Sequence, residues 1–260
     1  ITTGSRKAER DAQSDPNDLI RIMPAEGCAV RPTKHPPGGR CFLMQTDKRA
    51  VLFVNGQAKP GFEVSLLPGD FLVAVDGGLR HLKRLGLKPD LLIGDLDSVD
   101  ADELAEIEEV GVEVLRFPPA KDQTDLELAL DYALRIGYAQ ITIAYPFGDR
   151  IDHTLGNFSL LTRPDLAGRT LTLDDGQVEA RLLDQSASLP THPGDLVSLL
   201  PWDEPVTEIT IKGLQYPLNN ETLVPWRTRG ISNVALTDSI EINFRSGRLL
   251  VIKTKSNQKG

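Results

Sequence analysis

The chain has 260 residues, 40% of them hydrophobic and 25% charged, and a net charge of −8. That length accommodates one large domain or two ordinary ones, and the acidic balance excludes a broad nucleic-acid footprint, which needs clustered Lys and Arg. No apolar run approaches the ~20 residues of a membrane helix, and the polar start lacks the apolar core of a signal peptide. Two cysteines, Cys28 and Cys41, make neither a disulfide framework nor a zinc-ligand spacing. The expectation is a cytoplasmic protein with no membrane and no nucleic-acid partner.

Residues 1–49 hold six acidic and nine basic side chains, a net +3 against −11 for the remainder. Pro24, Pro32, Pro36, Pro37 and Gly38-Gly39 interrupt any periodic pattern, and the segment reads as a disordered extension. Order is expected from Arg49-Ala50-Val51-Leu52-Phe53-Val54, a short buried strand that turns at Asn55-Gly56. Residues 71–75 predict a second strand, ending in Asp76-Gly77-Gly78 and a helix through Leu79, Leu82 and Leu85. A carboxylate and two glycines between strand and helix suit a nucleotide, because glycine lets backbone N–H groups approach phosphates at a helix N-terminus. An ordinary tight turn has the same composition.

In Leu91-Leu92-Ile93-Gly94-Asp95-Leu96-Asp97-Ser98 an apolar strand end runs into a turn bearing two carboxylates. If strand geometry continues, Asp95 and Asp97 point to one side and repel unless a cation lies between them. Mg²⁺, which bridges carboxylates to substrate phosphates, suits such hard oxygen donors. The competing reading is a surface turn with Asp97 or Ser98 capping the next helix. An acidic helix over 100–109 and a strand over 112–117 follow. Then comes Lys121-Asp122-Gln123-Thr124-Asp125, opening a helix with apolar Leu126, Leu128, Ala129, Leu130, Ala133 and Leu134. Thr124 and Asp125 are either helix caps or holders of a metal or nucleotide, and Lys121 is a point charge suited to phosphate. A strand over 140–145 ends in Gly148-Asp149-Arg150-Ile151-Asp152-His153-Thr154-Leu155-Gly156-Asn157. Arg150 is suited to clamp phosphate oxygens. Asp152 and His153 open a helix with Leu155, Phe158 and Leu161 on its apolar stripe, and His153 is either a base or phosphate partner or a structural residue. In a parallel sheet with right-handed crossovers these junctions share the carboxyl edge, where a metal–triphosphate would satisfy the gathered charges.

After about Thr162 the helical rhythm stops. Short strands are predicted at 170–173, 177–183, 195–200, 208–211, 239–244 and 248–252, an all-β sandwich or barrel. Ser232 and Asn233, in a loop of this half, are short donors and acceptors suited to a small ligand or to a polar turn. The fold class is α/β: an N-terminal, mostly parallel sheet flanked by helices over 50–162 and a C-terminal all-β domain over 163–260.

Six motifs in order resemble the thiamin pyrophosphokinase family: Asp76-Gly77-Gly78; the run from Pro89 to Ser98; Lys121-Asp122-Gln123-Thr124-Asp125; Arg150-Ile151-Asp152-His153-Thr154-Leu155-Gly156-Asn157; Gly213-Leu214-Gln215-Tyr216-Pro217-Leu218; and Gly230-Ile231-Ser232-Asn233. The chain departs from the pattern at Gly148-Asp149-Arg150, where the family usually has Gly-Gly-Arg, and at Tyr145, which replaces an earlier glycine. The resemblance implies a nucleotide-binding α/β domain, a thiamin-binding β-sandwich, and a homodimer whose active sites lie at the interface. It implies transfer of pyrophosphate from ATP to the thiamin hydroxyl, giving thiamin diphosphate and AMP. On this resemblance Mg²⁺ sits on Asp76, Asp95, Asp97 and Asp125, and the nucleotide is held by Asp76, Gly77, Gly78, Thr124, Asp125, Asp152, His153 and Asn157. Lys121 and Arg150 stabilise charge on the transferred group, Asp97 or Asp122 takes the hydroxyl proton, and Ser232 and Asn233 bind the thiamin pyrimidine. There is no Gly-x4-Gly-Lys-Ser/Thr loop, which excludes a P-loop kinase. The rival functions are a Mg²⁺-dependent nucleotide phosphohydrolase with water as acceptor, and a non-catalytic thiamin- or nucleotide-binding regulator.

Overall fold

A computed structural model of the chain describes residues 46–256 other than 98 and 121, with residues 46 and 47 described by their backbone. The first ten elements are β1 (Thr46–Phe53), β2 (Phe71–Val75), α1 (Leu79–Arg84), β3 (Leu91–Gly94), α2 (Ala101–Glu109), β4 (Glu113–Arg116), α3 (Asp125–Ile136), β5 (Tyr138–Ala144), α4 (Ile151–Leu160) and β6 (Thr170–Asp174). Strands follow as β7 (Val178–Leu183), β8 (Ala187–Pro190), β9 (Leu196–Pro201), β10 (Val206–Lys212), β11 (Leu218–Leu223), β12 (Asn233–Val234), β13 (Ser239–Asn243) and β14 (Leu249–Thr254).

Ala50, Val51, Leu52 and Phe53 are all fully buried, as a strand covered on both faces requires. Alternate residues serve opposite layers. Ala50, Leu52 and Val54 pack with the apolar face of α3, and Val51 and Phe53 pack with Leu79 and Leu82 of α1 and Ile107 of α2. β1 is central because it pairs in parallel with both β2 and β5. The sheet runs β12-β9-β14-β7-β6-β5-β1-β2-β3-β4, and a second sheet runs β11-β10-β13-β8. α3 is the best-formed helix. Thr124 caps it by accepting from Glu127 N at 3.2 Å, six apolar residues face the core, and Gly137, with φ 99°, ends it.

β8, β11 and β12 lie outside the predicted strands, and Asn233, expected in a loop, belongs to β12. Two further details depart from expectation. β6 pairs in parallel with β5, so the strand counted as the first of the all-β half extends the parallel sheet. From β7 onward the same sheet becomes antiparallel and forms one wall of the sandwich. There Val197, Leu199, Leu249 and Val251 face Ile209, Ile211, Ile240 and Ile242 of the smaller sheet. A short apolar run looks the same whichever way its partner runs, and the partner is chosen by long-range packing. The second departure is at the chain's start. Residues 1–45 of the expected extension lie outside the described residues, and residues 46–49 belong to β1, where Arg49 pairs with Asp70 at 2.5 Å.

On α4, Leu161 is buried at the helix's C-terminal end, but Leu155 is 59% exposed and Ile151 72%. The helix's own ten residues include none that is buried. No helix among the described residues is long and apolar enough to cross a membrane.

Candidate active site at the carboxyl edge of the sheet

Because β1 to β5 are parallel, the turns after β2, β3, β4 and β5 open on one edge. Three carboxylates meet there: Asp76 after β2, Asp95 after β3 and Asp125 at the first position of α3, with one oxygen from each within 4.8 Å of the others. Local backbone geometry brings them together. Asp76 has φ 45° and Gly94 φ 151°, and a Cβ on Gly94 would overlap the Asp76 carboxylate. Only glycine permits both that dihedral and that approach. Asp76 Oδ1 also accepts from Leu96 N at 3.1 Å.

Burial pushes the Asp76 carboxyl up to about 7, reinforced by its hydrogen bond to Asp125 and by the charges of Asp125 and then Asp95. Such a carboxyl is about half protonated at neutral pH unless a cation replaces the proton. Three hard oxygen donors at this spacing fit Mg²⁺. Asp97 is exposed and is not one of the three. The expectation that Asp95 and Asp97 point the same way fails because Leu96 adopts φ 63°. A left-handed residue between them ends the strand's alternation, and Asp95 Oδ1 instead accepts from Asp97 N at 3.2 Å.

Of the remaining predicted residues of the sheet edge, those described lie on the turns after β2, β4 and β5 or in the helices that follow. Gly77 and Gly78 form a 3-10 turn with Asp76 that leads into α1. Gly78 is also required by packing, because a Cβ there would overlap the Phe53 carbonyl. Asp122 is exposed, and Thr124 uses its hydroxyl as the cap of α3. Lys121 and Ser98 lie outside the described residues. Arg150 and Asp152 are exposed and paired with each other, Nη2 to Oδ2 at 2.5 Å and Nε to Oδ1 at 3.2 Å. The Arg150 hydrogen bond holds the Asp152 carboxyl down at about 2. His153 is exposed, and Asn157 donates to Pro146 O at 2.7 Å, bracing the loop after β5. Asp149 accepts from Gln57 Nε2 at 2.6 Å, which turns its charge toward the loop after β1.

In the sandwich, a cavity of about 270 Å³ is lined by Leu199, Tyr216, Pro217, Leu218, Arg229, Gly230, Ile231 and Asn233. Asn233, 5% exposed, accepts from Tyr216 N at 3.0 Å and donates to Tyr216 O at 2.7 Å, so its amide shapes the wall. Ser232 is exposed, has φ 59° and does not line the cavity. Leu199 and Arg229 escaped the sequence reading because they are distant in sequence and meet only where Leu199 N of β9 donates to Gly230 O at 2.9 Å, beside Arg229 in the turn before Gly230. Arg229 is paired with Glu221.

A parallel sheet with a carboxylate cluster on its carboxyl edge, continued into a β-sandwich with its own small-ligand cavity, defines a two-part α/β enzyme. Residues 65–173 match the family model described as thiamin pyrophosphokinase, catalytic domain, and residues 186–249 the model described as thiamin pyrophosphokinase, vitamin B1 binding domain. The chain is 31% identical over 192 residues to the thiamine pyrophosphokinase of Bacillus subtilis (strain 168), covering 70% of this chain and 86% of that one. It is 27% identical over 242 residues to thiamine pyrophosphokinase 1 of Arabidopsis thaliana, covering 83% and 90%. A crystal structure of the Bacillus subtilis enzyme superposes with a TM-score of 0.71 at 28% identity, covering 80% of this chain and 99% of that one. The chain therefore belongs to the thiamin pyrophosphokinase family of transferases.

Proposed function

We propose that the protein transfers the β,γ-pyrophosphoryl group of ATP to the hydroxyl of thiamin, giving thiamin diphosphate and AMP. The observation that carries this reading is the convergence of Asp76, Asp95 and Asp125 on the edge where open α/β sheets bind ligands. These three would hold Mg²⁺, with Asp97 the adjoining fourth carboxylate, and the ion bound there would offset phosphate charge. Residues 50–162 hold the nucleotide, with Gly77, Gly78, Thr124, Asp152, His153 and Asn157 around it. Residues 163–260 hold thiamin, whose size suits the cavity beside Asn233, and Ser232, next in sequence to Asn233, is the further residue of this half assigned to it.

The thiamin oxygen attacks the β-phosphorus while Asp97 or Asp122 takes its proton. The bond from the β-phosphorus to the α-phosphate oxygen breaks in line, and AMP leaves. Lys121 and Arg150 counter the charge on the transferred group. Arg150 exchanges its pairing with Asp152 for phosphate oxygens, a small loss because both side chains are exposed. Catalysis on this scheme is positioning plus electrostatics. The working form is a homodimer, a reading supported by the exposed apolar residues Ile151 and Leu155 on α4, and its compartment on this reading is the cytoplasm.

The test is to incubate the protein with ATP, Mg²⁺ and thiamin and to follow AMP and thiamin diphosphate together. Equal, thiamin-dependent appearance of both, abolished by EDTA, is expected. AMP with pyrophosphate and no thiamin diphosphate would replace this reading with a phosphohydrolase. Thiamin binding without either product would replace it with a non-catalytic regulator.

A further inference from the structure

Tyr145, the first residue beyond β5, is fully buried and has φ 58°. That dihedral is unfavourable for an aromatic residue by about 1 kcal/mol or more, so its surroundings must hold it there. Tyr145 N donates to Asp174 O at 2.9 Å, tying it to β6. Its ring stacks on His81 of α1 with centroids 4.2 Å apart. Its hydroxyl accepts from Arg84 Nη2 at 3.0 Å and is bonded by the backbone of Val64.

His81 and its neighbour Arg80 also reach the loop after β1. His81 Nε2 lies 3.0 Å from Gly56 O, and Arg80 Nη2 donates to Gly56 O at 2.7 Å and Asn55 O at 3.1 Å. The two loops also touch directly. Gln57 N donates to Phe147 O at 2.7 Å, Gln57 Nε2 donates to Asp149, and a Cβ on Gly56 would overlap the Tyr145 carbonyl. α1 itself begins where the Asp76-Gly77-Gly78 turn ends.

We infer that Tyr145, gripped by His81 and Arg84, is a positioning residue that holds the loops after β1 and β5 and the Asp76 turn in one arrangement for the nucleotide. This rests on the ATP-binding reading above. Tyr145 touches no reacting atom. It acts by linking three segments of the carboxyl edge, and the Gln57 bond to Asp149 lies between the two loops it holds.

The experiment compares wild type, Tyr145→Phe, Tyr145→Gly and Val51→Ala. The last thins the same apolar cluster away from the loops. Thermal stability, the Kd for ATP with Mg²⁺, and KM for ATP and thiamin with kcat are measured for each. Tyr145→Phe keeps the stack and loses the Arg84 bond, so KM and Kd for ATP should rise about threefold. Tyr145→Gly should raise them at least about tenfold. KM for thiamin should stay within about twofold of wild type in both, and Val51→Ala should lower Tm without moving ATP affinity. If the Tyr145 variants lower only Tm, as Val51→Ala does, Tyr145 is core filling and the inference is overturned while the ATP reading stands. If wild type binds no ATP, both are overturned.

Discussion

The carboxyl groups of Asp76 and Asp125 are hydrogen-bonded to each other, although one opens the turn after β2 and the other opens α3. Two carboxylates bond in this way only when one carries a proton. Asp95 supplies a third oxygen to the group. The cost of gathering these charges is local, and it is the arrangement a divalent cation relieves.

Asp95→Asn tests that relief. Mg²⁺ at about 100 times its Kd should raise the stability of wild type by about 2.7 kcal/mol, and the variant should lose most of this gain. Turnover should fall at least ~100-fold, while stability without metal rises by about 0.5–1 kcal/mol as repulsion is removed. Thermal melts with Mg²⁺ and with EDTA, beside an assay of AMP release, measure all three. An unchanged Mg²⁺ shift would remove Asp95 from the metal site.

Asp97 and Asp122 are both exposed and compete for the proton of the acceptor hydroxyl. Replacing the base by Asn should lower kcat by about 10²–10⁴-fold and leave the Mg²⁺-dependent shift in Tm intact. Replacing the other should leave kcat within a few-fold, about what a displaced neighbouring charge changes. Parallel kcat and melting measurements on Asp97→Asn and Asp122→Asn assign the role. If Asp97→Asn also abolishes the Mg²⁺ shift, that residue holds the ion.

His81 predicts a pH dependence of stability. It is 4% exposed, and burial pushes its ring down to about 4, with Arg80 and Arg84 adding repulsion and the Gly56 carbonyl opposing. Between that value and the ordinary pKa of about 6.5 the unfolded chain binds the proton and the folded chain does not. Stability is therefore fully present above about pH 6.5 and is lost as pH falls toward 4, by roughly 1–3 kcal/mol. Urea midpoints at pH 7.5 and 4.5 should show a smaller drop for His81→Gln than for wild type. Equal drops would assign the acid sensitivity to other groups.

Ile151 and Leu155 lie one turn apart on α4, both exposed. If this face meets a second copy, Ile151→Asp with Leu155→Asp should give a monomer in sedimentation, with the far-UV spectrum unchanged because neither residue supports the core of its own chain. A dimer that survives both changes would place the interface elsewhere.

The sequence by itself marked the α/β half's elements and the chemistry at their ends, but not β8, β11 or β12. The apolar runs around Leu52, Ile93 and Ile143, short and bounded by turn residues, read as covered strands. Glycine or carboxylate after each strand marks where the chain turns toward a ligand, and the motif order from Asp76 to Asn233 identifies the family. Tertiary structure decided which charges meet. Asp95 and Asp97 are neighbours in sequence, yet the left-handed Leu96 parts them, and Asp125 from beyond β4 joins Asp95 instead. It decided that β6 extends the parallel sheet, because strand partners are chosen by packing across the whole sheet and not by the strand's own residues. It also accommodated Tyr145, which looks misplaced in sequence. Only the fold brings His81 and Arg84 to its ring and the Gly56 loop against its backbone.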